Sequence, residues 1–85
     1  MNDRLLTIGE LARRTGVPVR TIRFWSDLGI LPPAGRTAAG YRLYDAEAPA
    51  RIGLVRTLRE LGIDLATVQR ILARQATIAE VARAH

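Results

Sequence analysis

Along the chain, apolar residues recur at helical spacing in blocks that glycine and proline separate. The first block opens on Thr7-Ile8-Gly9-Glu10, a capping box in which the threonine oxygen accepts from the Glu10 amide and the Glu10 carboxylate accepts from the Thr7 amide. A helix is therefore predicted from Ile8. Leu6 before the cap and Leu11 inside the helix are spaced as a hydrophobic staple, and Gly16 supplies a residue that tolerates the left-handed turn at the helix end. A second helix follows from Pro18 or Val19 to Leu28, closed by Gly29. Two short helices joined by a three-residue, glycine-containing corner form a helix-turn-helix pattern.

Between residues 29 and 44 the pattern changes. Pro32, Pro33, Gly35 and Gly40 are too frequent for a helix, while Tyr41, Leu43 and Tyr44 favour extended backbone, so a small hairpin is predicted. Asp45 is placed to cap a third helix with Leu54, Val55, Leu58 and Leu61 on one face and Gly62 as its stop. Pro49 removes a hydrogen bond from that helix, so its ordered part is also readable as starting at Pro49. Ile63 and Asp64 repeat the staple-and-cap arrangement before a fourth helix carrying Leu65, Val68, Ile71 and Leu72. Thr77-Ile78-Ala79-Glu80 reads as a second capping box, which predicts a fifth helix from Ile78 to the end of the sequence. No internal repeat or linker is visible.

Eighty-five residues make one small domain, which buries only roughly 60 to 65% of the surface its unfolded chain would expose. With no cysteine there is no disulfide frame, thiolate nucleophile or cysteine zinc site, a composition that suits a reducing compartment. No run approaches the roughly 18 apolar residues that cross a bilayer, and the stretch from Met1 to Leu6 lacks a signal-peptide core. The expected location is cytoplasmic and nucleoid-associated, with no membrane partner. The carboxylates fit structural roles: Glu10 and Glu80 in capping boxes, Asp45 and Asp64 as caps, Glu47 in a first turn, Asp27 and Glu60 four residues after Arg23 and Arg56 for surface ion pairs. Only Asp3 is left without one, and the single histidine, His85, has no cysteine or second histidine to share a metal with. With no phosphate-cradling loop and no nucleophile beside a base, the sequence predicts neither an enzyme nor a cofactor or metal site.

The net charge is +5, and its location matters more than its size. Arg13, Arg14, Arg20, Arg23, Arg36 and Arg42 face one acid, Asp27, between residues 13 and 44, whereas the remaining arginines and acids balance. A localised basic surface suits a nucleic-acid binder, because neutralising phosphates releases counterions; acidic proteins and lipid headgroups are attracted by the same charge. At 100° per residue the second helix turns Ile22, with Val19 and Ser26, to one side and Arg20, Arg23, Phe24 and Asp27 to the other. That stripe reads equally as a solvated face or as a surface for the major groove, where arginine grips guanine O6 and N7. Phe24 tilts the reading towards a partner surface. Trp25 falls near Ile22, which predicts core packing, with the indole N–H reaching outward from the edge.

Several short stretches then add up: Thr-Ile-Gly-Glu-Leu-Ala at 7 to 12, Thr-Gly-Val at 15 to 17, Val-Arg-Thr-Ile-Arg-Phe at 19 to 24, Gly-Ile-Leu-Pro-Pro at 29 to 33, Gly-Tyr-Arg-Leu-Tyr-Asp at 40 to 45 and Arg-Glu-Leu-Gly-Ile at 59 to 63. In order and spacing, over roughly residues 6 to 72, the chain resembles the DNA-binding domain of MerR-family transcriptional regulators. The resemblance implies a mainly α, winged helix-turn-helix fold with residues 32–44 as a β-hairpin wing and the third and fourth helices as a helical second wing. It implies a DNA-binding domain over residues 1–76 and the start of a C-terminal dimerisation helix at 77–85. The positions matching the family's DNA contacts are Arg20, Thr21, Arg23, Phe24 and Trp25 on the recognition helix, Arg36, Tyr41 and Arg42 on the wing, and Arg59 on the helical wing.

The chain departs from the family at Trp25, where tyrosine is usual, at Ser26 for an acid, and at Pro18 for a capping side chain. The resemblance further implies a homodimer on a pseudo-palindromic promoter, bending and untwisting the spacer so that RNA polymerase engages both elements. Because the sequence stops where the dimerisation helix should lengthen, residues 1–85 alone are expected to be a monomer or a weak dimer. Two other classes share the basic composition: a helical protein-interaction module docking an acidic partner, and a phage-type excision or architectural DNA-binding factor.

Overall fold

The structure, a computed structural model, describes residues 4–84; the expectations for Asp3, His85 and the first residues of the chain lie outside them. Seven elements follow in order: β1 (Leu6–Thr7), α1 (Ile8–Thr15), α2 (Val19–Asp27), β2 (Gly35–Arg36), β3 (Arg42–Tyr44), α3 (Ala48–Glu60) and α4 (Leu65–Ala84). The predicted capping box opens α1: the Glu10 amide donates to Thr7 Oγ1 at 3.1 Å and the Thr7 amide to Glu10 Oε1 at 3.0 Å. Gly16 ends the helix at φ 74, and its amide donates to the Ala12 carbonyl at 2.8 Å. Pro18 starts α2 without a side-chain cap. Beyond the other end of α2, Gly29 at φ 80 lets the Ile30 amide return to the Trp25 carbonyl at 3.1 Å, a turn that costs a glycine no Cβ clash.

The sheet is larger than the predicted hairpin. Its order is β1-β3-β2, antiparallel throughout, with Leu6 opposite Tyr44 and Thr7 opposite Leu43 on one side, and Gly35 opposite Leu43 and Arg36 opposite Arg42 on the other. The extended residues that lead into the α1 cap therefore also serve as an edge strand, which seats the wing against the first helix. Leu6, Leu11, Val17, Ile22, Trp25, Ile30, Leu31, Tyr44, Ala48, Ile52, Val55, Val68 and Leu72 form one core, so every element except the short β2 sends a side chain into it.

Two side chains brace the helix-turn-helix from behind. Arg56 on α3 donates from Nη1 to the Thr15 carbonyl at 2.8 Å, and Gln69 on α4 donates from Nε2 to the Leu28 carbonyl. Both acceptors are end-of-helix carbonyls that lack an intrahelical partner. The surface pairs predicted within helices differ accordingly: Arg56 takes the α1 end and makes no ion pair with Glu60, and Asp27 pairs across to Arg42 rather than with Arg23.

Three further expectations are corrected. Leu61 is 72% exposed, because α3 ends at Glu60 and turns away there, and Ile52 and Ala48 fill the core side instead. The third helix begins at Ala48; Asp45 precedes it, accepting from the Glu47 amide at 3.0 Å. No fifth helix starts at Ile78, since α4 is continuous through it and the Thr77 hydroxyl donates to the Ala73 carbonyl at 3.1 Å. A capping threonine must leave helical geometry, and here alanine-rich sequence without glycine or proline gives it no reason to do so.

The caps make stability pH-dependent. Glu10 is held below its ordinary carboxylate value by the Thr7 amide first and then by Arg4, and Asp64 by the Thr67 hydroxyl first. A carboxylate whose folded pKa is depressed adds stability above its unfolded value and loses that contribution as pH falls through the folded one. Thermal melts should therefore be level near neutrality and decline below about pH 4 to 5. The double variant Glu10→Gln, Asp64→Asn should show a shallower decline; an identical acid profile would remove these caps from the account.

Candidate nucleic-acid interface

Helix α2 sets the site. Ile22 is fully buried and Trp25 and Ser26 nearly so, which fixes the rotation of the helix and leaves Arg20, Arg23, Phe24 and Asp27 exposed, with Thr21 at the margin. Phe24 is 52% exposed, an aromatic ring on a charged stripe. Trp25 belongs to the core, the packing position its register predicts, so its ring is not part of that stripe. Its carbonyl accepts the amides of Ile30 and Leu31, and the residue anchors the end of the helix from inside.

The wing brings its side chains to the same place. At the hairpin tip, Thr37 and Tyr41 exchange backbone and side-chain hydrogen bonds of 2.8 and 3.0 Å, and Arg36 Nη1 donates to the Gly40 carbonyl at 2.9 Å. Arg23, Arg36, Gly40, Tyr41 and Arg42 together with Ile8 line one open cleft of about 260 Å³ between α2 and the hairpin. Tyr41, 72% exposed, stands on its wall. Ile8 is a lining residue that the sequence reading missed; its place beside the cap marks it only as the first residue of a helix.

Within this cleft Arg36 and Arg42 are direct cross-strand partners. Like charges directly opposite one another destabilise a ladder, and a third arginine, Arg23, shares the same concavity. Among the described residues the compensating carboxylate is that of Asp27: Arg42 Nη2 donates to Asp27 Oδ1 at 2.6 Å, and its Nη1 donates to the Arg23 carbonyl at 3.4 Å. That hydrogen bond to Asp27 is the main reason the Arg42 pKa is raised above its ordinary value. The cleft thus holds an excess of guanidinium groups in a form that suits an anion with several acceptor oxygens.

Arg59 is exposed at the end of α3, where Nη1 donates to the Ile63 carbonyl at 3.0 Å, bracing the turn into α4; it does not line the cleft. Among the described residues no group of three or more histidine, cysteine, aspartate or glutamate side chains could hold a metal, and no helix is long and apolar enough to cross a membrane.

The element order and the cleft define a winged helix-turn-helix domain with a basic face shared by the second helix and the wing. Residues 6–75 match the family described as MerR HTH family regulatory protein, and the chain belongs to that family. It is 40% identical over 78 residues to the nodulation protein NolA of a Bradyrhizobium species, covering 92% of this chain and 33% of NolA. It is 38% identical over 65 residues to the mercuric resistance operon regulatory protein of Bacillus cereus, covering 76% of this chain and 49% of that protein. The chain therefore spans a third to about half of these relatives. A similar solved fold is that of HiNmlR, a MerR family regulator lacking the sensor domain and bound to promoter DNA: TM-score 0.76, 24% identity, 87% of this chain and 59% of that one.

Proposed function

We propose that this chain binds double-stranded promoter DNA with α2 in the major groove and the hairpin wing on the phosphate backbone, and regulates transcription as part of a homodimer. The observation that carries this reading is the cleft in which Arg23, Arg36 and Arg42 converge, with two of the three opposed across a ladder. Phosphates are the ligand that such a cluster would hold along a duplex. Arg20 and Arg23, exposed on α2, are assigned to base edges or the groove margin, with Thr21 and Phe24 beside them. Tyr41, Arg36 and Arg42 are assigned to the backbone, and Arg59 to a flanking backbone contact from the helical wing. Trp25 is assigned an indirect role, holding α2 at its working angle.

Residues 1–76 act as the DNA-binding domain and 77–85 as the start of the dimerising strip, a division supported by Ile78 and Val81, which are exposed apolar residues on the distal part of α4. A dimer would grip two half-sites and distort the spacer between them, with RNA polymerase as the indirect beneficiary. Duplexes selected from a random-sequence pool provide the test. Arg23→Ala should relax the selected preference at one base pair, at about 1 to 3 kcal/mol, while leaving the other positions intact. Equal losses on every duplex would demote Arg23 to a backbone contact, and failure of the wild type to enrich any duplex would favour a protein partner.

A further inference from the structure

Asp27 is the only acid of α2, and it sits on the helix's exposed face, where it is paired with Arg42, one of the residues lining the cleft. Its Oδ1 accepts from Arg42 Nη2 at 2.6 Å, a contact 15 residues apart in sequence that ties the helix to the wing. Neither partner is sealed away: the side chains are 56% and 26% exposed, so an incoming anion reaches both. Arg42 also donates to the Arg23 carbonyl, so part of its five-donor fork is already committed before any ligand arrives. Arg36 and Arg23, by contrast, have no carboxylate partner among the described residues.

We propose that Asp27 is an affinity-setting residue of the cleft: its carboxylate occupies Arg42 in the free domain and competes with a backbone phosphate for it. This rests on reading the cleft as a phosphate site. A phosphate must share Arg42 with Asp27 or displace it, and in either case it meets a negative charge at close range. The penalty falls on every duplex alike, because backbone contacts carry no sequence information, while base reading by Arg20 and Arg23 is untouched. Asp27 therefore lowers affinity for preferred and arbitrary duplexes by the same factor, setting the strength of binding while leaving the gap between sites as the base contacts fix it.

The test uses the wild type, Asp27→Asn, Asp27→Glu and Glu80→Gln with a fluorescent 20-base-pair duplex of arbitrary sequence, titrated over a range of salt. Asp27→Asn frees one cation, so it should bind about 5-fold tighter at low salt with a log–log salt slope steeper by about one. Asp27→Glu, which keeps the charge, should retain the wild-type slope. Glu80→Gln makes the same change in net charge on α4 and should leave both quantities near wild type. Weaker binding by Asp27→Asn would mean that the carboxylate positions Arg42 for the phosphate, and overturns the proposal; so would an unchanged slope, or an equal gain in Glu80→Gln. Absence of salt-dependent duplex binding by the wild type would instead remove the phosphate reading of the cleft itself.

Discussion

Ile22→Ala should lower the thermal midpoint of the domain by about 12 to 24 °C, on a loss of about 3 kcal/mol and the usual 4 to 8 °C per kcal/mol for domains of this size. Ile22 is fully buried on the inner face of α2, so truncation leaves a cavity that the packed helices around it cannot close. In an 85-residue chain whose whole stability is of order 4 to 13 kcal/mol, that loss is a large part of the total. The same substitution loosens the rotation of α2 and so the direction in which Arg20 and Arg23 point. Leu61→Ala is the matched control, because Leu61 is mostly exposed and its truncation should stay within about 0.5 kcal/mol. Similar midpoints for the two variants would show that the buried face of α2 had been misassigned.

Duplex affinity should fall about 40- to 150-fold between about 50 and 200 mM salt, which is what neutralising three to four phosphates predicts. The arginines assigned to the backbone, Arg36, Arg42 and Arg59, set the lower figure, and a contact from Arg23 at the groove margin the upper. Arg36→Ala should reduce the log–log slope by about one, since no carboxylate among the described residues pairs with that side chain. Arg42→Ala should reduce it by less, because Asp27 already neutralises part of the Arg42 charge. Fluorescence anisotropy with one duplex at several salt concentrations measures both. A flat dependence would assign the basic cleft to a protein surface.

The features legible in the sequence were those fixed within a few residues. Thr7 and Glu10 are three apart and cap α1 as their spacing requires, and the rotation of α2 follows from Ile22 against Arg20 and Arg23. Contacts between distant segments were not legible. Asp27 looked like the partner of Arg23 four residues before it, yet the wing delivers Arg42 to it from 15 residues away. Arg56 likewise found the Thr15 carbonyl, 41 residues back, rather than Glu60. A two-residue strand such as β1 carries too little pattern to stand out beside a helix cap. At Thr77 the local signal was real but outweighed: Ala73, Ala76, Ala79 and Ala82 favour continued helix, and the hydroxyl simply bonds one turn back. The candidate site was legible as a set of arginines, while its convergence on one cleft depends on the Arg36–Arg42 register, which the turn at Gly40 sets.

The uninterrupted α4 has a mechanical consequence. Its 20 residues form a rod of about 30 Å, seated in the core by Val68 and Leu72 near one end and exposed after them. Gln69 donates to the Leu28 carbonyl at the C-terminal cap of α2 near that seated end, so the fulcrum of the rod lies against the helix that carries Arg20 and Arg23. A tilt of about 10° about this point carries the far tip through about 4 Å. A load on the exposed part of the rod would reach the C-terminal cap of α2 through the Gln69–Leu28 hydrogen bond, and would otherwise be borne by α3, against which α4 packs.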